Sequence, residues 1–391
     1  MVNHGRTRLS SLFLEWFVAC VVLVWSGSLN AAEPSPIQDD ATLRDVAMLG
    51  EKLAWVVGDH GVMWKTTDSG ATWKFVATNT FAHWQSVCFL TDRMGWIAGG
   101  DTEPFTRRGR GLLLVTKDGG LTWQSVSNEE LPRLRYVRFF DPRQGVIVGE
   151  PNAAHPSGVM LTEDGGKTWQ EMPGPAGSSW LAADFVEPLD GLLGGRQGRV
   201  SAVSNGKVLP TRVDPSSWRR IHAVRLQSDL KGWLVGDGGL VMKTDSGGVV
   251  WEAPQGELPQ ELRDAANFRA VAVRGDRVWV AGSPGSVIWH SPDGGQSWQR
   301  QLTGSQLPIE SLKFANGNNG GESRVGIAVG ACGMILQTTD SGETWRGVRA
   351  AERRAAYLSV SVWPEDVSFD CWLSKVASKV IAVSRVCWFR N

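Results

Sequence analysis

Thr66-Thr67-Asp68-Ser69-Gly70-Ala71-Thr72-Trp73 decides the fold, because the chain repeats it. It returns as Thr116, Asp118, Gly120, Thr122, Trp123 and again as Thr162, Asp164, Gly166, Thr168, Trp169. Ser291, Asp293, Gly295, Ser297, Trp298 and Thr338, Asp340, Gly342, Thr344, Trp345 complete the clean copies. A looser copy is read at Asp245-Ser246-Gly247, with Trp251 one residue late. The physical reading is a hairpin turn between two strands. The Asp carboxylate accepts backbone N–H bonds, Gly supplies a positive φ, and the Ser/Thr hydroxyl bonds locally. The Trp then starts the outer strand and drops its ring into the core. On this reading the residues are structural: the Asp side chains are assigned neither to catalysis nor to metal.

A second element precedes each box: apolar residues ending in glycine. These glycines are Gly58, Gly99, Gly149, Gly194, Gly236, Gly282 and Gly330, spaced 41, 50, 45, 42, 46 and 48 residues apart. The fourth unit has Ser204-Asn205-Gly206 where a box would fall. Four strand candidates fit each unit; in the first they are 43–49, 54–58, 62–66 and 72–76. Four strands in repeats of about 40–50 residues is the propeller signature. The expected fold is all-β, a seven-bladed β-propeller of four-stranded antiparallel blades over residues 33–350. The 46 glycines and 20 tryptophans agree with many short strands and heavy aromatic anchors.

Residues 1–32 read as an export signal: Arg6 and Arg8, an apolar run from Phe17 to Trp25, then Asn30-Ala31-Ala32. The run is shorter than the roughly 20 residues that span a bilayer. The location expected is therefore periplasm, lumen or cell exterior. The 40 basic and 40 acidic residues cancel, which asks for neither nucleic acid nor a membrane surface as partner. Beyond the signal, Cys88, Cys332, Cys371 and Cys387 show no CxxC spacing and no adjoining His cluster, so no metal is expected. No cofactor is expected either. Their pairing in an oxidising compartment is left open.

With both elements in hand, the chain resembles the photosystem II stability/assembly factor (Ycf48-like) propellers. Gly95-Trp96-Ile97-Ala98-Gly99 and Gly232-Trp233-Leu234-Val235-Gly236 carry the first half of that family's repeat, and the Asp boxes carry the second. The resemblance covers about Leu43 to Arg349. It implies a non-catalytic scaffold that binds a protein, a membrane protein during assembly, with an arginine patch on one propeller face; a monomer is expected. Asp boxes also occur in sialidases and xyloglucanase-type hydrolases, which supply a carbohydrate-binding or carbohydrate-cleaving alternative. A sialidase needs a tyrosine nucleophile, and only Tyr136 and Tyr357 are present. Tyr136 reads as a strand aromatic, and Tyr357 lies past the last blade.

Propellers bind at the mouth of the central channel. Aligning the innermost strands puts Arg44, Gln85, Arg135, Leu181, His222, Arg269 and Glu310 at equivalent positions. Arg44, Arg135, Arg269 and His222 are the candidate partner-binding ring, with Arg220 and Arg138 as neighbours. Arginine suits bidentate capture of carboxylate or phosphate. A loop from Asp101 to Arg110 adds Arg107, Arg108 and Arg110 as contacts for an acidic partner. Residues 351–391 leave the repeat. Residues 356–362 form a strand candidate that would help close the ring. Trp363-Pro364-Glu365-Asp366 resembles the His-Pro-Asp-Asp opening of zinc-dependent N-acetylglucosaminyl deacetylases, with Trp363 where the zinc-binding His would stand. A truncated deacetylase fusion is therefore a further alternative.

Overall fold

A computed structural model of the chain describes residues 33–102, 109–126, 130–177, 179–212, 218–260, 265–316 and 322–350. Residues 1–32, read as an export signal, and residues 351–391, with the expected closing strand, lie outside the described residues.

The blades follow the repeat. Blade 1 is Leu43–Leu49, Leu53–Gly58, Met63–Thr66 and Lys74–Phe75, each strand antiparallel to the next. Its outer strand is shorter than expected, because Thr72 and Trp73 are held by the box turn. The same order recurs to give seven sheets, six of four strands and one of three. The short sheet is blade 5, in which a single bridge, Lys243↔Glu252, stands where the fourth strand would pair. In blade 4 the missing box is replaced by a tight hairpin. Ser204 pairs with Lys207 across Asn205 (φ 49°) and Gly206 (φ 71°). Two central residues at positive φ give the turn whose twist matches its strands, which is why Asn-Gly suits it.

The core lies between blades. The innermost strand of each blade packs against the second and third strands of the blade before it. Ala47, Trp55, Val57 and Met63 of blade 1, for example, meet Trp84, Val87 and Ile97 of blade 2. Trp55 stacks flat on Phe89 (3.7 Å between centroids, 8°), and the box residue Trp123 meets Phe89 edge-on. The next interface repeats this with Trp96, Phe139 and Trp169. Gly95 and Gly145 are explained here: the ring of Phe89 or Phe139 lies where their Cβ would stand.

Among the described residues, blade 7 meets blade 1 without exchanging a strand. Leu43, Val46 and Trp64 pack with Ile327, Val329 and Ile335. Gly333 N–H donates to the Ala41 carbonyl (2.9 Å) and Gln337 Nε2 to that of Ser69 (2.6 Å). Arg349 lies over the Trp64 ring (3.8 Å) and pairs with Asp39 at the end of the short helix Pro36–Asp39.

Candidate functional site: the channel mouth

The strand-ending glycine and the candidate ring turn out to be one device, with Gly195 rather than the expected Gly194 in that place in blade 4. In every blade the pairing of the first two strands slips by one residue at the ring position. Leu43 pairs with Gly58 and Asp45 with Val57, so Arg44 is unpaired. Gln85, Arg135, Leu181, His222, Arg269 and Glu310 are skipped in the same way. Such a bulge re-aims the skipped side chain. The opposing backbone must come close for this. A Cβ on Gly58 or Gly99 would collide with the carbonyl of Thr42 or His83.

These side chains meet across blades. Glu310 Oε2 accepts from Arg44 Nη1 (3.2 Å) and Arg269 Nη1 (3.2 Å). Arg44 also forks onto Asp59 (2.7 Å), whose other oxygen contacts His83 Nδ1 (3.1 Å). Arg135 pairs with Glu150 (2.6 Å) and reaches Gln85, while His222 meets Asp237 (2.7 Å). Burial raises the Asp59 carboxyl, but the Arg44 guanidinium and His83 more than offset this, and its pKa falls below the usual value.

The mouth is therefore not a bare basic ring. Arg44, Arg135 and Arg269 stand against Asp59, Glu150, Asp237 and Glu310. Hydrogen-bonding capacity is nevertheless left over. The Nε–H groups of Arg135 and Arg269 are buried and have no partner among the described residues. An unmade buried donor costs about 1–3 kcal/mol, so an acceptor that reached them would be favoured. Sequence reasoning placed Glu310 in the ring but missed Asp59, Glu150 and Asp237. The available signal was an acid directly after the blade glycine: Gly58-Asp59, Gly149-Glu150, Gly236-Asp237.

Other candidates separate. Arg138 sits deeper in the channel, on Asp184 (3.4 Å). Arg220 lies just before the innermost strand of blade 5 and is exposed. Arg110 is exposed and pairs with Asp101 in an extended hairpin of blade 2. Arg107 and Arg108 lie outside the described residues. Among the described residues no cluster of His, Cys, Asp or Glu is placed to hold a metal.

The boxes occupy the opposite end of the blades that carry them. Thr66 Oγ1 donates to Asp68 and accepts from Gly70 N–H (3.0 Å), while Thr72 gives its N–H (2.9 Å) and hydroxyl (2.6 Å) to Asp68. Asp118, Asp164, Asp293 and Asp340 repeat the pattern. The hydroxyl donated by Thr72, Thr122, Thr168 or Ser297, with the backbone N–H beside it, holds Asp68, Asp118, Asp164 and Asp293 down at about 2. Every carboxylate oxygen faces a donor of its own turn. The blade 5 copy differs from its sequence reading. Ser246, not Asp245, takes the Asp place: its Oγ meets Thr244 Oγ1 (3.2 Å) and accepts from Val250 N–H (2.8 Å). Gly248 (φ 86°) is the box glycine, and Trp251 is in register, bonded to the Gly248 carbonyl.

Comparison with known proteins agrees with this architecture. The family model described as photosynthesis system II assembly factor YCF48 matches residues 213–354. The photosystem II assembly lipoprotein Ycf48 of Synechococcus sp. (strain CC9902) is 36% identical over 143 residues, 33% of this chain and 40% of that protein. The chloroplastic photosystem II stability/assembly factor HCF136 of Arabidopsis thaliana is 26% identical over 116 residues, 30% of this chain and 28% of that one. The chain thus aligns with well under half the length of these curated relatives. Among solved structures, a YCF48 bound to a D1 peptide superposes with TM-score 0.60 at 23% identity, over 77% of this chain and 92% of that one. The GH74 xyloglucanase of Xanthomonas campestris gives 0.61 at 15% identity, over 80% and 55%, a likeness of fold alone. In fold and repeat the chain is a Ycf48-like seven-bladed propeller.

Proposed function

We propose that this chain is an exported, non-catalytic scaffold that receives a segment of a partner protein at its channel mouth, the partner being a membrane protein under assembly. The observation that carries the reading is the bulged ring, where Arg135 and Arg269 keep buried Nε–H donors unspent. An extended peptide offers carbonyl and carboxylate acceptors for them, and a guanidinium fork holds such groups with defined geometry. The relatives named above support it, being named for assembly and stability rather than for a reaction. The related YCF48 was solved with a D1 peptide. The carboxylates already at the mouth supply selectivity, since an incoming acid must displace Glu310 or Glu150 from an arginine.

The test is a cross-linked pull-down from the host envelope. Wild-type protein is compared with Arg135→Gln/Arg269→Gln, which removes the donors without reversing charge. Enrichment of one membrane protein by the wild type alone is the expected result. Equal capture by the variant sinks the proposed role of the mouth.

A further inference from the structure

Below the mouth the channel has a second set of equivalent positions, marked by the strand pairing. Ala47, Cys88, Arg138, Asp184, Arg225, Ala272 and Lys313 each pair with a residue of the second strand's buried apolar run: Trp55, Trp96, Val146, Leu192, Trp233, Trp279 and Ile327. Three of the seven are cations.

Two buried carboxylates serve this level. Asp184 accepts from Leu226 N–H (2.8 Å) and Tyr136 Oη (3.3 Å), and flanks Arg138 (3.4 Å) and Arg225 (3.6 Å). Asp45 accepts from Val87 N–H (3.0 Å), Ser86 and Ser311, and pairs with Lys313 (2.8 Å). Neutral donors therefore occupy much of both carboxylates. Arg138, Arg225 and Lys313 against Asp45 and Asp184 leave one positive charge in excess.

The geometry leaves the cations with donors to spare. Arg138 makes a 3.4 Å hydrogen bond to Asp184, reaches Tyr136 and lies over the Phe140 ring (5.4 Å), while Arg225 makes a 3.6 Å ion pair, out of five N–H groups each. Their side chains are 41% and 29% exposed and that of Lys313 is 27%, so these donors reach the channel solvent. The remaining positions, Ala47, Cys88 and Ala272, are uncharged and pack into the cores between blades. Asp45 pairs with Lys313 and accepts from Ser86 Oγ, which in turn accepts from Val137 N–H (3.3 Å), so blades 7, 1, 2 and 3 are joined at this level.

We infer that this tier is a binding site for a small oxyanion of the phosphate class, gripped by Arg138 and Arg225 on one side and Lys313 on the other. Planar guanidinium forks match the oxygens of such an ion, and the ammonium adds a point charge. A peptide's terminal carboxylate presents the same chemistry, and the test separates the two sources.

Inorganic phosphate is titrated into the full chain by calorimetry at low salt. Arg225→Lys keeps a cation beside Asp184 but removes the fork, so it guards against misfolding; Lys313→Gln probes the opposite wall. We expect phosphate binding to weaken about tenfold or more in Lys313→Gln, several-fold in Arg225→Lys, and not at all in Arg135→Gln at the mouth. A short peptide with a free C-terminus that displaces phosphate, when its amidated twin does not, would assign the site to a chain terminus. No binding by the wild type, or equal binding by wild type, Arg225→Lys and Lys313→Gln, overturns the site. Loss in Arg135→Gln alone would move the ion to the mouth and overturn it as well.

Discussion

Blades 3 and 5 solve one packing problem in two ways. In blade 3, Trp96 stacks on Phe139 at 3.8 Å and the box residue Trp169 meets the same ring edge-on. In blade 5 the corresponding places are Leu192, Leu226 and Trp251, all within one apolar cluster. Two of three rings are gone, the box carboxylate has become Ser246, and the fourth strand has shrunk to one bridge. What persists is the tryptophan and the glycine at positive φ. The box is thus a means of placing a tryptophan between blades, and the carboxylate reinforces a turn that the glycine already permits.

The sharpest way to break this comparison is to remove the anchors. Trp169 and Trp251 are both 8% exposed. Truncating a buried aromatic costs about 3–5 kcal/mol. Trp169→Ala and Trp251→Ala are expected to lose stability in this range, read by urea unfolding. A loss below about 1 kcal/mol for Trp251→Ala alone would show that the blade 5 turn is not a box at all.

A smaller effect comes from moving blade 5 chemistry into blade 3. Phe139→Leu removes the flat stack and the edge contact while keeping an apolar residue. Aromatic pairs are worth about 0.5–1.5 kcal/mol each beyond buried area, so a loss of about 1–3 kcal/mol is expected. The reciprocal Leu226→Phe should bring no gain, because Leu192 cannot stack with it. A clear gain would mean that blade 5 tolerates rather than requires its aliphatic packing.

The same comparison shows what the sequence could disclose. Fixed spacing exposes whatever repeats: the box, the blade glycine, and the ring position near the start of each innermost strand. Arg44 and Arg135 were found that way. Contacts made between blades carry no such spacing. Glu310 serves Arg44 from 266 residues away and Arg269 from 41, and Arg349 reaches Asp39 across 310. The blade 5 register was hidden for a local reason. Asp245 adjoins Ser246 and reads as the box acid, and only the bonds from Val250 N–H and Thr244 show which side chain caps the turn.

Restoring that carboxylate should give a modest gain. Ser246→Asp with Val250→Thr supplies the hydroxyl bond that Thr168 makes to Asp164 in blade 3. A net hydrogen bond contributes about 0.5–1.5 kcal/mol. Unfolding at neutral pH should shift upward by that amount. An unchanged midpoint would mean that the strand beyond, reduced to one bridge, limits blade 5 more than its turn does.

The smallest expected effect is in pH. Asp118 and Asp164 have folded pKa values of about 2, held there first by the Thr122 and Thr168 hydroxyls, against an ordinary 3.8. Because the folded value is depressed, the stability these groups contribute is present above about pH 4 and is lost as pH falls toward 2. Both carboxylates face solvent, so screening keeps each contribution small. The blade 5 turn has a serine, Ser246, in the place of that carboxylate. Carboxyl carbon shifts followed by NMR from pH 5 to 1.5 should show Asp118 and Asp164 titrating near 2. The carboxylate introduced by Ser246→Asp with Val250→Thr should join them. If it titrates near 3.8 instead, Ser246 does not stand where Asp164 stands, and the equivalence of the two turns fails.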